Sequence, residues 1–262
     1  MPAVAAHYYF GQRVEERLPG NIAAMIKRHQ PVFDLGLQGP DLLFYYNPAR
    51  TNPVSSLGIA IHSQIASGRI AGASAALRKE WDEAACCYLL GYVCHFTLDS
   101  SFHGDIAVAA PRIIDHFLLE SELDRQVILK HYAKKPTAFK RHNLVKTRLK
   151  TYDCLIAVYP ELTQAQLQKC ARGFVFYLKV LYSPANVKKR IVKIIERTIG
   201  KANFFSALSV PDKANKIFYN DAKTLFSRMA DLEEKGAGAV MNVVEHIRGN
   251  AQLSDIFQRN FE

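Results

Sequence analysis

No stretch of the chain reaches the ~18 consecutive apolar residues that a helix needs to cross a bilayer, so no membrane span is expected. The opening "MPAVAAHYYFGQRVEERLPG" lacks a basic leader followed by an apolar block, which argues against a secretory signal. Cysteine is scarce and unpatterned. Cys86, Cys87, Cys94, Cys154 and Cys170 form no CxxC clamp, and their odd number suits no disulfide framework. They read as reduced, buried packing residues of a cytoplasmic protein. Tryptophan occurs once, at Trp81. Alternating runs of strand type are missing, as are internal repeats and low-complexity tracts, which excludes a repeat architecture.

What is present is helical periodicity. The fold class expected from it is all-α, a single domain over residues 1–262. "AVAAHYYFGQRVEERL" reads as a first helix closed by Pro19-Gly20, and Asn21 as the cap of a second that ends before Pro31. Gly36, Gly39 and Pro40 force a bend around Asp41. "SSLGIAIHSQIASG" reads as a helix capped by Ser55 or Ser56 and ending near Gly68, and a longer helix starts at Asp82. Pro111 is placed as the first helical residue of "PRIIDHFLLESELDRQVILKHYA". Further helices are expected at about 143–158, 163–182, 185–199 and 216–248. "KHYAKKPTAFKRHN" suits either a surface loop or a domain boundary.

Charge divides the chain into a metal-site half, 1–125, and a basic helical half, 126–262. The first carries a net −3 and the second a net +13, within a total of +10. An acidic, His-rich half suits cation binding; a basic half suits an anionic ligand or surface. In "NVKKRIVKIIERTIGK", Ile191, Ile194, Ile195 and Ile199 share a face opposite Lys188, Lys189, Lys193 and Arg197. That pattern fits a helix lying on an anionic membrane, and equally a surface helix packed on a core.

The segment "CHFTLDSSFH" carries the chemistry. His95, Asp99 and His103 stand four residues apart, so they line one face of a helix whose flanks, "YLLGYV" and "GDIAVAA", are apolar. Two imidazoles and a carboxylate in such surroundings require partners, and a metal ion is the candidate. His116 and Glu120 repeat the i, i+4 spacing on the next helix. Upstream, His62 and His7 lie on apolar helices and Asp41 in the "GPD" turn. Taken singly, each has an ordinary reading: a core histidine, an exposed ion pair, a helix cap. Together they amount to a ligand set.

The order His7, "GPD" at 39–41, His62, "HFTLD" at 95–99, His103 and "HFLLE" at 116–120 resembles the zinc-dependent phospholipase C family over roughly the first 125 residues. That family shares an all-helical fold and a trinuclear zinc site with the single-strand-specific zinc nucleases. The resemblance implies Asp41, His62, His95 and Asp99 around one zinc, and His103, His116 and Glu120 around a second. Asp99 would bridge to a third, also bound by His7. The relatives complete that third site with an amino-terminal tryptophan, a residue this chain lacks there.

The implied activity is phosphodiester hydrolysis, with phospholipid as substrate and Asp41 orienting or deprotonating the attacking water. Nucleic acid is the alternative substrate on the same metals, and a non-catalytic metal centre the third reading. Manganese or iron would accept the same mixed nitrogen and oxygen ligands. Phe44, Tyr45 and Tyr46 read as core, with contact to an apolar part of a substrate as the other use. Oligomeric state has no signature in the sequence.

Overall fold

A computed structural model describes residues 3–48, 50–147, 149, 152–181, 194 and 207–262. Nine α-helices carry the described chain: α1 (Val4–Glu15), α2 (Gly20–Arg28), α3 (Gln30–Gly36), α4 (Pro53–Ser63), α5 (Ala66–Lys79), α6 (Glu83–Ala109), α7 (Ile113–Lys130), α8 (Gln164–Leu181) and α9 (Tyr219–Arg248). Short 3-10 turns join them, and no strand occurs among the described residues. The class is all-α. No described helix is long and apolar enough to cross a membrane.

The axis of the fold is α6. Asp82 starts it by accepting the backbone N–H groups of Ala84 (2.7 Å) and Ala85 (3.1 Å). From Ala85 to Asp99 every residue is buried, as expected of a helix with no polar face. Around it pack α1, α2, α3, α5, α7 and α9. The crossing with α3 is so close that glycine is required on both sides. A Cβ on Gly36 would lie 2.3 Å from the Tyr88 carbonyl oxygen, and one on Gly91 2.4 Å from that of Phe33.

Several boundaries differ from the sequence reading. The cap of α4 is Asn52, whose side chain accepts from Val54 and Ser55 while the Ser55 hydroxyl accepts from the Asn52 N–H. Ser55 is thus the partner within a capping box. The stretch read as one helix from Ser55 to Gly68 belongs to two: the chain breaks at Gln64–Ile65 and α5 begins at Ala66, whose N–H donates to the Arg259 carbonyl (2.9 Å). Pro111 ends α6 and does not open α7, because it forces Ala110 out of the helical region (φ −140°, ψ 69°).

Among the described residues of 143–158 no α-helix forms; 3-10 turns stand at Arg141–Asn143 and Asp153–Leu155. Buried anchors shape this segment. The Arg141 guanidinium reaches Asp124 and the Leu208 carbonyl, and Tyr152 is fully buried. The basic amphipathic helix expected at 185–199 lies outside the described residues, apart from Ile194. All five cysteines are free and buried.

After α9 the chain returns across the molecule. The Phe261 N–H donates to the His62 carbonyl (3.1 Å), which fixes the carboxyl-terminal segment beside α4.

Candidate metal centre

Four helices and one turn deliver the polar side chains. His95, Asp99 and His103 stand on successive turns of α6, and His116 and Glu120 on α7. α1 supplies His7, α4 His62, and the 3-10 turn Gly39–Tyr45 supplies Asp41. Asp124 places α1 by accepting the Ala6 N–H (2.9 Å), and Arg141 holds Asp124 from its other oxygen (3.2 Å). Gly39 gives the turn its shape, with φ at +49°, a region that side chains other than glycine rarely adopt.

These side chains meet in three groups: His7 with His95 and Asp99; Asp41 with His62 and His95; His103 with His116 and Glu120. In each group the ligand atoms lie within 4.8 Å of one another. The Asp99 carboxylate links them. Its Oδ2 is 3.0 Å from His95 Nε2, and its Oδ1 is 3.2 Å from His7 Nε2 and 3.6 Å from His103 Nε2. Asp41 Oδ1 faces His62 Nε2 at 3.2 Å, and Glu120 Oε1 faces His116 Nε2 at 3.5 Å.

The rings are oriented from behind. His95 Nδ1 lies 3.1 Å from the Leu37 carbonyl oxygen and His62 Nδ1 2.7 Å from that of Gly58. A carbonyl only accepts, so Nδ1 carries the proton, and a neutral ring then turns the Nε2 lone pair toward the carboxylates. Lone pairs facing lone pairs in a buried space need a cation between them. The Nε2 atoms of His95 and His103 are buried without a hydrogen-bond partner. Atoms about 2.0–2.2 Å from a tetrahedral ion stand about 3.3–3.6 Å apart; Asp99 to His103 (3.6 Å) and Glu120 to His116 (3.5 Å) have that spacing, while His95, His7 and His62 stand closer to their carboxylates, at 3.0–3.2 Å. The donor set, imidazole nitrogen with carboxylate oxygen, is that of zinc.

The electrostatics show a demand for positive charge: against the effect of burial, Asp41 holds His62 above its usual range and Asp99 with Glu120 pushes His103 up to about 9, a charge that a bound cation supplies in place of ring protons. Burial alone would raise the Asp99 carboxyl, yet His95, His103 and His7 hold it well below the usual carboxylate range. His7 moves down, through burial first and its neighbour His95 second.

The family model for zinc dependent phospholipase C matches residues 6–157. The chain belongs to that family. The match includes all eight side chains of the centre and extends beyond residue 125, through α7 and the 3-10 turns that follow it. Comparison with curated proteins and with solved structures finds no match. Zinc is the metal on which the zinc-dependent phospholipase C family depends, and the family's members are hydrolases.

Two features of the centre have no sequence signal. Phe261, fully buried, sets its ring 5.3 Å from that of His62 and 5.9 Å from that of His95, so it backs both. The carbonyls of Leu37 and Gly58 act through the backbone and leave no mark on side-chain identity. The aromatic trio divides: Phe44 stacks on His62 (5.4 Å), while Tyr45 and Tyr46 pack on the core, Tyr45 edge-on to Phe174. Trp81 stands between α5 and α6, its ring exposed.

Proposed function

We propose that this protein is a zinc-dependent phosphodiester hydrolase that releases phosphorylated headgroups from phospholipid. Asp41, His62, His95 and Asp99 hold one ion in this reading, His103, His116 and Glu120 a second, and His7 with Asp99 a third. The observation that supports it most is the Asp99 carboxylate, within 3.6 Å of imidazoles from all of its neighbours in the centre, His7, His95 and His103. One shared carboxylate suits neighbouring ions better than an isolated structural site, which would close on four ligands of its own. Zinc, when bound, supplies Lewis acidity toward phosphoryl oxygens and lowers the pKa of water toward neutrality.

The chain's own residues do the rest. Asp41, fixed in its turn and facing His62, orients the attacking water and takes its proton. The Leu37 and Gly58 carbonyls keep His95 and His62 in the ligating tautomer. His116, whose side chain is 20 % exposed, is the most accessible member of the set and, with His103 beside it, marks the side from which substrate arrives.

Lipid is favoured over nucleic acid by the surface beside those two histidines. The α6–α7 corner exposes Val108 (85 %) and Ile113 (59 %), five residues beyond His103 and three before His116. A corner led by these apolar side chains, with the exposed Arg112 paired to Asp115, suits a lipid interface, whereas a nucleic-acid track calls for free cations and exposed stacking rings.

The test uses protein with measured zinc content, offered short-chain phosphatidylcholine and, separately, single-stranded DNA. Release of phosphocholine and diacylglycerol is expected. Faster degradation of DNA than of lipid would transfer the proposal to nucleic acid. Full zinc occupancy without turnover of either would leave a non-catalytic metal centre.

A further inference from the structure

Away from the metal centre, no described residue covers the Gly68–Gly72 face of α5. Gly68, Gly72 and Ala76 recur along it at every fourth residue, and a methyl group added at Gly68 or Gly72 would meet no atom within 4 Å. Glycine is a poor helix former, so its recurrence at two open positions is not a demand of the helix. It keeps one wall low in a half-open cavity of about 1200 Å³, whose other walls are residues 153–161 and the start of α6. The floor is apolar and buried, from Ala73 and Leu77 to Val158 and Phe261. Within it Tyr92 is wholly buried, and its hydroxyl has no hydrogen-bond partner.

The rim is mainly acidic. Among the described residues, Glu80, Asp82, Glu83, Asp153 and Glu161 line the cavity together with the guanidinium of Arg69. Arg69 is already committed, donating to the Val158 carbonyl (2.6 Å) and to Glu161 (2.8 Å). Asp82 also caps α6 and Glu83 pairs with Arg28, while Glu80 is exposed at the mouth. In a chain of net charge +10 this is an inverted local field. Trp81 lies between Glu80 and Asp82 on the same rim, its ring 56 % exposed, with a π face available to a cation.

We infer that this cavity binds an amphiphilic cation, a molecule with an ammonium head and an alkyl body. The head rests on Trp81 beside Glu80, and the body lies along the Gly68–Gly72 wall above the apolar floor. An anionic amphiphile of equal length is repelled by the same rim. The cavity is separate from the metal centre, since Phe261 stands between its floor and the rings of His62 and His95.

Trp81 is the chain's single tryptophan and lines this cavity as well as a smaller one beside α2 and α9, so its fluorescence, read together with a variant of the Gly68–Gly72 wall, reports on this cavity. The zinc-loaded full chain is titrated with decyltrimethylammonium below its micellar concentration, with decyl sulfate and tetramethylammonium as comparators. A saturable response to decyltrimethylammonium is expected, with each comparator at least about ten-fold weaker. Gly72→Leu raises the wall along which the alkyl body lies and weakens the response by about ten-fold or more. Glu80→Gln weakens it by about three-fold or more. Both variants keep the zinc content and melting temperature of the unmodified protein. Equal binding of decyl sulfate, an undiminished response in Gly72→Leu, or no saturable response at all would overturn the inference. None of these readouts depends on phosphodiester hydrolysis, so the proposed activity stands or falls independently.

Discussion

The imidazole of His95 lies directly against the Cα of Gly39: a Cβ at that position would sit 2.3 Å from His95 Cδ2. The turn bearing Asp41 and the ring at the heart of the ligand set are therefore in contact, and no side chain fits between them. Gly39→Ala must move the ring or the turn, and it also places alanine at a φ of +49°. The backbone strain costs about 1–3 kcal/mol. Catalytic geometry is less tolerant, since a displacement of about 1 Å commonly lowers rates by about 100-fold. The expected outcome is zinc stoichiometry reduced by one ion or more, with hydrolysis down by about 100-fold. Elemental analysis alongside phosphocholine release checks both.

Phe261 supports the same centre from behind. Replacing it with alanine empties a fully buried site against His62, His95, Tyr92 and Phe96. Phe→Ala changes in cores cost about 3–5 kcal/mol, and Phe261→Leu, which keeps much of the volume, should cost less than half of that. Urea denaturation midpoints measure the order. If the alanine variant matched the unmodified protein, the carboxyl-terminal segment would have no structural part in the centre.

The contrast between these two residues explains what the sequence reveals. The ladder His95–Asp99–His103 and the pair His116–Glu120 are legible because a helix converts a spacing of four into a shared face, and Asp82 announces the start of α6 by its capping chemistry. Asp41 is legible through the glycines and proline that bend its turn. Phe261 is not, since its meeting with His62 joins positions at opposite ends of the chain. The start of α5 is hidden for the same reason: its first N–H is satisfied by Arg259, and nothing near Ala66 records that partner. The 3-10 turns after Arg141 follow from a buried ion pair with Asp124, which overrides a periodicity that reads as helix.

A buried carboxyl outside the metal centre sets a pH dependence. Asp34, in α3, is pushed up to about 7, by burial first, although Gln30 donates to its Oδ1 at 2.9 Å. A carboxyl raised in the fold above its unfolded value near 3.9 binds protons more readily when folded. Its contribution to stability is fully present below about pH 4 and is lost as pH rises through about 7. Asp34→Asn keeps an acceptor for Gln30 and removes the titration. The variant should therefore gain on the unmodified protein as pH rises from 4 to 8, by no more than about 4 kcal/mol. Denaturation midpoints of the two proteins across that range give the difference directly. A constant difference would show that Asp34 does not titrate there.

The apolar corner at Val108 and Ile113 gives the lipid reading its own consequence. If that corner enters a lipid interface, each side chain transfers from water to hydrocarbon, worth about 1.5–3 kcal/mol for a fully buried residue of this size. Val108→Ser with Ile113→Ser should then lower turnover of phosphatidylcholine vesicles by about ten-fold or more. Turnover of a monomeric short-chain substrate should be unchanged, because neither residue belongs to the ligand set. Vesicle co-sedimentation separates binding from chemistry: the doubly substituted protein should remain in the supernatant under conditions where the unmodified protein pellets. Loss of activity on both substrates would indicate damage to His103 or His116. Retention of both would remove the corner from the mechanism and, with it, the structural preference for lipid over nucleic acid.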